Sequence, residues 1–198
     1  TLAERLGSFA GQLTETGITA IRIEYEGDVA EMNLKALTAA AVTGLMRPLL
    51  QDVNMVSAPT IARDRGIQIE EVMREQQGAY ENYIRLTVIT ERQERSVAGT
   101  VFSDGRPRII QVKGINLDAE FAAHMLYVTN EDKPGIIGGI GTLLGEAGVN
   151  IANFRLGRRE AGGEAICLVE VDAEPDPAIL EKLEAMALIT QAKALSFT

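Results

Sequence analysis

The chain has 198 residues, of which 46% are hydrophobic and 24% are charged, as in an ordinary folded protein. Its formal net charge of −9 argues against nucleic acid or an anionic membrane as the main partner, because both bind clustered positive charge. One cysteine excludes an internal disulfide and a cysteine-rich metal centre, and with one histidine we expect no catalytic residue and no metal site.

The first 118 residues indicate helices followed by antiparallel strands. Apolar residues recur at helical spacing from Leu2 to Leu13, and "ITAIRIEYEGD" alternates as a strand does. Asn33 is suited to cap a helix that stops before Pro48. Another helix is expected to start at Ala58-Pro59 and end at Gly66. Three strands are predicted at "YIRLTVIT", "SVAGTVF" and "IIQVKG".

A group of glutamates precedes these strands, and we interpret it as an acidic helical stretch without a paired acid and base: Glu70, Glu71, Glu75 and Glu81. The polar segment "NLDAEFA" marks a domain boundary. We therefore predict one domain over residues 1–120 and a second over 121–198.

The predicted strands and helices of the second domain follow one another in a regular order. "HMLYVT" reads as a strand, "KPGIIGGIGTLLGEAG" as a helix with Ala147 on its buried side, and "VNIANFRLGRR" and "EAICLVEVD" as strands. "DPAILEKLEAMA" is a helix with Pro177 in its first turn, and "LITQAKALSF" a last strand. The order β-α-β-β-α-β is the ferredoxin-like arrangement. The predicted fold class is α+β, an α/β sandwich followed by this domain.

The stretch "TNEDKPGIIGGIGTLLGEAGVNI" contains six glycines and little reactive chemistry. A dinucleotide fold would place its glycines in the turn and an acid on the next strand. Here the turn belongs to Lys133-Pro134-Gly135 and the next strand has no acid at the ribose position, so a nucleotide site is not expected. Pro134 instead presets the backbone for the helix entry, and Gly135 leaves the first free N–H groups unshielded, which suits a carboxylate.

Four further glycines fall inside the predicted helix: Gly138, Gly139, Gly141 and Gly145. Each weakens a helix by up to about 1 kcal/mol relative to alanine. This cost suggests close approach by another backbone, either a second copy of the domain or the domain's own sheet.

Short polar side chains surround the start of this helix. Asn130 and Asp132 are placed on the strand-to-helix loop and Asn150 just past the helix end. Amides, a carboxylate and free helical N–H groups together suit a free α-amino acid. Alternatively, Asp132 is an N-cap or turn residue and Asn150 forms a loop.

Two resemblances cover essentially the whole chain. "NEDKPGIIGGIGTLLGEAGVNIANFRLGR" resembles the ligand-binding half of an ACT domain. "LAERLGSFAGQL", "VNMVSAPTIARDRGI" and "SVAGTVFSDGRPRIIQVKG" resemble the intervening domain of long-form D-3-phosphoglycerate dehydrogenases. The chain begins at Thr1 in a helix, so we expect a piece of a longer protein or a processed product.

The resemblance implies feedback control of serine biosynthesis. In that family the full enzyme oxidises 3-phosphoglycerate with NAD, whereas this region is expected to hold no cofactor and no catalytic activity. The resemblance implies a homo-oligomer through ACT domains that binds L-serine or another small amino acid at their interface. The expected contacts are Asn130, Asp132, Pro134, Gly135, Ile136, Ile137 and Asn150, the last across the dimer.

The intervening domains of this family can also hold an anion. The matching basic position is Arg108, with Arg106 and Lys113 nearby, and the three alternatively form a solvated strand end. Arg155, Arg158 and Arg159 form a basic patch interpreted as a strand end or an intersubunit salt link.

Other functions remain open from the sequence. One is the regulatory subunit of a bacterial L-serine dehydratase, and another is an independent enzyme with a site between the two halves. The single cysteine, the missing signal peptide and the missing long apolar run predict a cytoplasmic protein without membrane or nucleic-acid partners.

Overall fold

The chain contains five α-helices and ten β-strands, six of them in succession, in agreement with the predicted α+β class. The computed structural model describes all residues from 1 to 198. They divide into two units, Thr1–Gly114 and Ile115–Thr198. None of the helices is long and apolar enough to cross a membrane.

The first unit is a sheet with helices packed on one face. Its helices are α1 (Leu2–Leu13), α2 (Leu34–Met46) and α3 (Ala58–Asp64). Its strands are β1 (Ile18–Gly27), β2 (Gln68–Arg74), β3 (Asn82–Thr90), β4 (Glu94–Val101) and β5 (Pro107–Val112), in the order β2-β1-β3-β4-β5. β1 pairs parallel with β2 and antiparallel with β3. The remaining neighbours are antiparallel.

Alternation along β1 separates its two faces. Ile21, Ile23 and Tyr25 are fully buried, because strand residues two apart point to the same side. Asn33 caps α2 as predicted, with its Oδ1 accepting from Ala36 N at 3.2 Å. α1 and α2 cross so closely that a Cβ added at Gly44 would lie 2.0 Å from the backbone oxygen of Glu4.

The predicted acidic helix is wrong, since residues 68–74 form strand β2. Glu70 and Glu71 lie within it, paired with Arg22 and Ile23 of β1. Most β2 side chains are exposed, so the burial alternation of a half-buried strand is absent. Glutamate and methionine are good helix formers, and pairing with β1 overrides that local preference.

The predicted boundary segment also contains a strand, β6 (Ile115–Glu120). Its side chains alternate strictly, with Ile115, Leu117 and Ala119 buried. β6 packs on strand β8 (Ile151–Arg158), where a Cβ added at Gly157 would lie 2.5 Å from the Asn116 oxygen. The units divide after Gly114, whereas the predicted boundary follows residue 120, so β6 falls in the second unit.

The second unit has the predicted β-α-β-β-α-β order after β6. Its further elements are β7 (Met125–Glu131), α4 (Ile136–Glu146), β8, β9 (Glu164–Val171), α5 (Pro177–Glu184) and β10 (Ile189–Leu195). The four strands lie in the order β10-β7-β9-β8 and are all antiparallel.

Helices α4 and α5 supply apolar side chains to one core with the sheet. The core contains Leu126, Val128, Ile136, Ile140, Leu144, Cys167, Val169, Val171, Ile179, Leu183, Ile189 and Ala192. Ala147 is exposed at the end of α4, so its predicted burial is wrong. The chain leaves that helix through Gly148 at φ +73°, the left-handed conformation expected after a helix C-terminus.

Candidate functional site

The start of α4 presents unshielded backbone donors. Gly135 caps the helix at φ +92°, and no side chain hydrogen-bonds to the cap. The first helical backbone bond runs from Gly139 N to Gly135 O at 2.9 Å. The N–H groups of Ile137 and Gly138 therefore precede the hydrogen-bonded ladder and point out of the helix end. Together with the helix dipole, these two N–H groups can bind a carboxylate or another small anion.

Asp132 lies directly before this helix and is held by the turn between β8 and β9. Its Oδ2 accepts from Arg158 Nη1 at 2.9 Å and from Gly162 N at 3.3 Å. The hydrogen bond from Arg158 is the main cause that lowers the pKa of Asp132 below its ordinary value of 3.8. The carboxylate is thus ionised and fixed in direction. Both bonds reach Oδ2, so Oδ1 can still accept from an ammonium group.

Asn130 is placed differently from the expectation. It belongs to strand β7 rather than to the loop, and its side chain is buried on the core side of the sheet. Its Nδ2 donates to the Glu131 oxygen at 2.8 Å, and its Oδ1 lies 3.7 Å from Cys167 Sγ. Within one chain Asn130 orders the end of the strand that leads into the loop. Its contact with a ligand stays a prediction.

Asn150 lies at the other end of α4. It is exposed, and its Nδ2 donates to Asp172 Oδ2 at 2.6 Å. The eleven residues of α4 separate it from the helix start, which corresponds to roughly 16 Å along the axis. One chain therefore brings Asp132 and Gly135 together but leaves Asn150 apart. A contribution of Asn150 to this site therefore requires a second copy and stays a prediction.

The glycines of α4 present a bare helical face. A Cβ added at Gly138, Gly141 or Gly145 would meet no atom within 4 Å, whereas one at Gly139 would lie 2.7 Å from Met186 Cε. Packing within the unit therefore accounts for Gly139 alone. Ile137 is 46% exposed, and its spacing from Gly141 and Gly145 places it on the same face. The remaining glycines leave room for a closely approaching backbone.

The predicted anion residues of the first unit are not gathered in one place. Arg106 lies in the turn before β5 and Lys113 follows its other end, about 20 Å apart for an extended strand of this length. Arg108 lies within β5, where its Nη2 is 3.3 Å from Asp104 Oδ2 and its guanidinium stacks on Phe102. Arg106 and Lys113 therefore do not converge on one small anion.

Three partners of the site escaped the sequence reasoning. The sequence indicates Arg158 as a strand-end or intersubunit residue, but within the chain it binds Asp132. Nothing in the sequence indicates a role for Gly162 or Asp172, yet Gly162 N donates to Asp132 and Asp172 accepts from Asn150. These contacts join residues 22 to 30 positions apart in the sequence, so no local sequence motif indicates them. They arise because β9 pairs with β7 on one side and with β8 on the other.

Comparison with protein families identifies both halves of the chain. Residues 1–113 match the D-3-phosphoglycerate dehydrogenase intervening domain, and residues 124–187 match the ACT domain. The matched segments agree with the two units of the structure.

Curated relatives with the name D-3-phosphoglycerate dehydrogenase align over nearly the whole chain. The protein of Bacillus subtilis is 30% identical, with 98% of this chain and 37% of the relative aligned. That of Archaeoglobus fulgidus is 35% identical, with shares of 92% and 35%. That of Synechocystis is 34% identical, with shares of 96% and 35%.

The chain spans little more than a third of the length of these relatives. Its two halves match an intervening domain and an ACT domain, so the catalytic region of the relatives is not contained in these 198 residues. The chain belongs to the D-3-phosphoglycerate dehydrogenase family and carries the intervening domain and the ACT domain of that family.

Proposed function

We propose that the second unit binds a free amino acid, L-serine, between two copies of the chain and thereby regulates a D-3-phosphoglycerate dehydrogenase. The observation that carries the proposal is the division of the polar groups between the two ends of α4. Asp132 and the open helix start lie at one end, and Asn150 lies at the other. A site made from both ends needs two copies related by a two-fold axis.

Each group of the ligand has a matching partner. The α-carboxylate accepts from the N–H groups of Ile137 and Gly138 at the positive end of the helix dipole. The α-ammonium donates to Asp132 Oδ1, the oxygen that is not held by Arg158. Asn150 of the second copy hydrogen-bonds the polar side chain of the ligand. The open glycine face of α4 lets the two helices approach closely enough for this reach.

The regulated reaction is the one carried out by the named relatives. In the proposed full protein, a catalytic region oxidises 3-phosphoglycerate with NAD. L-serine, the end product of the biosynthetic pathway, then binds to the second unit. Binding changes catalysis only if serine prefers one arrangement of subunits over another. The names of the relatives favour this enzyme over a serine dehydratase.

Titration calorimetry of the chain with L-serine tests the proposal. We expect heat from the wild type and at least a tenfold weaker affinity for Asn150→Ala. The matched control is Asp172→Ala, which removes the same intrachain hydrogen bond but leaves the Asn150 amide in place. Similar losses in both variants would mean that only the loop geometry matters. No heat from serine or any other small amino acid would refute amino-acid sensing.

Subunit mixing tests whether the site is shared between copies. Asn150→Ala and Asp132→Ala are each expected to weaken binding at least tenfold at both sites of a pure dimer. In an equimolar exchanged mixture, hybrid dimers carry one intact site, so about one quarter of all sites should recover. No recovery after verified subunit exchange would place both residues in the same copy's site and contradict the proposal.

A further inference from the structure

Strand β2 is the outermost strand of the first unit's sheet, with β1 on one side and no strand on the other. Its seven residues, Gln68 to Arg74, leave every second backbone N–H and C=O group facing outward. Only Ile69 and Val72 are half-buried, and the other five side chains are exposed. Such an edge is a template for pairing with another strand.

This edge is held in a fixed shape by contacts on both faces. On the face without helices, Arg22 Nε lies 3.0 Å from Glu70 Oε2 and Arg74 Nη2 lies 3.0 Å from Glu24 Oε1. On the helix face, Thr38 Oγ1 donates to Glu71 Oε1 at 2.7 Å. The outer row of backbone groups is therefore preformed, which lowers the entropy lost when a second strand pairs with it.

Large apolar side chains lie exposed beside the same edge. Met73 is 61% exposed at the end of β2. Met55 and Val56 are 46% and 89% exposed, and both line a groove that runs along β2 beside Ile69. A strand added to β2 would cover part of this surface and so adds a hydrophobic contribution to the backbone hydrogen bonds.

We propose that β2 pairs antiparallel with β2 of a second copy, about a two-fold axis that passes midway between the two opposed Val72 residues. In this register Val72 faces Val72 and Glu70 faces Arg74 on the face without helices, the latter pair occurring twice. On the helix face Glu71 lies opposite Met73. Opposite charges directly across a strand pair are favourable, and here they extend the ion pairs with Arg22 and Glu24.

The charges of β2 exclude the neighbouring registers. A two-fold axis through Glu70 or Glu71 would place that glutamate opposite its own copy. An axis through Met73 would place Glu71 opposite Glu75. Like charges directly opposed are destabilising. Charges on an edge strand usually prevent pairing, but only the register centred on Val72 turns them into attraction.

Disulfide trapping in the full chain tests the register. Directly opposed residues of antiparallel strands have Cα atoms about 4.5–5.5 Å apart, within the range a disulfide spans. Cys167, the single native cysteine, is fully buried, and burial raises the pKa of its thiol to about 12, so it does not compete. Val72→Cys should therefore form a covalent dimer under mild oxidation.

The controls are Glu71→Cys, Met73→Cys and the more exposed Val56→Cys, each measured by the rate of dimer formation on non-reducing gels. We expect Val72→Cys to cross-link at least tenfold faster than all three. Fastest cross-linking by Glu71→Cys or Met73→Cys would overturn the register. Equal rates at all four positions would show that β2 does not pair with itself. Neither result bears on serine binding by the second unit.

Discussion

Gly141→Ala should stabilise the isolated chain while it weakens association between copies. Gly141 lies inside α4, and a Cβ added there would meet no heavy atom within 4 Å. Its φ is not in the left-handed region, so alanine fits the backbone without strain. Alanine is favoured over glycine in a helix interior by about 1 kcal/mol. Nothing within one chain offsets that gain.

The expected gain is large enough to measure. For a unit the size of residues 115–198, about 1 kcal/mol raises the midpoint of thermal unfolding by roughly 4–8 °C. Circular dichroism at low protein concentration, where copies are dissociated, reports this shift. Sedimentation equilibrium at higher concentration reports association. If α4 faces a second copy as proposed, the added methyl group pushes two helices apart and the dissociation constant should rise at least tenfold.

Gly139→Ala is the matched control, since it is the same substitution two positions away on the same helix. Its Cβ would lie 2.7 Å from Met186 Cε, so the methionine must move and part of the gain in helix stability is lost. Its effect on association should be small. A lower unfolding midpoint for Gly141→Ala would refute the reading of α4 as open. Unchanged association would remove this face from the subunit interface.

Two further predictions concern the first unit. Gly44→Ala should lower the free energy of unfolding, measured by urea denaturation, by about 3 kcal/mol or more. The reason is that its Cβ would lie 2.0 Å from the Glu4 backbone oxygen. Wild-type stability of this variant would show that α1 and α2 move apart without cost. Glu26 is buried, which by itself raises its pKa, but hydrogen bonds from the Tyr83 hydroxyl and the Gln77 N–H lower it below 4.5 overall. A carboxylate whose pKa is lower in the folded state stabilises the fold at pH values above its unfolded pKa. This stabilisation is lost as the pH falls through the folded pKa. Glu26→Gln should therefore lower the free energy of unfolding at pH 7 by about 2 kcal/mol. The difference from the wild type should shrink below pH 4.5. A constant difference down to pH 2 would contradict the role of the charge.

The fold of the second unit follows from the sequence because each element has its own local signal. Gly135 and Gly148 bound α4, Pro177 begins α5, and apolar positions repeat with the period of each element. The first unit shows the limit of this reasoning. β2 is an exposed parallel edge strand rich in glutamate, so neither burial nor propensity distinguishes it from a helix. Its pairing with β1 decides its conformation, and that pairing is non-local.

The sequence indicates the start of α4 as the candidate site but does not indicate the contacts found there. Proline, glycine and short polar residues at 130–135 indicate an anion-binding helix start. The sequence does not show that Asp132 is already bound by Arg158 or that Asn130 turns into the core. The bond between Asp132 and Arg158 depends on which strand ends lie side by side, and the orientation of Asn130 depends on which face of β7 it occupies. A register shift of one residue would reverse that face.

The proposed division of the site between two copies has a thermodynamic consequence. If each copy supplies only part of the contacts, ligand binds the pair and not the separate chain, so binding and association are linked. Ligand at one hundred times its dissociation constant then stabilises the pair by about 2.7 kcal/mol per site. The same linkage means that dilution must weaken apparent serine affinity. It also means that loss of Asn150 acts on association in the presence of serine, although the residue lies at the far end of α4 from the loop of its own chain.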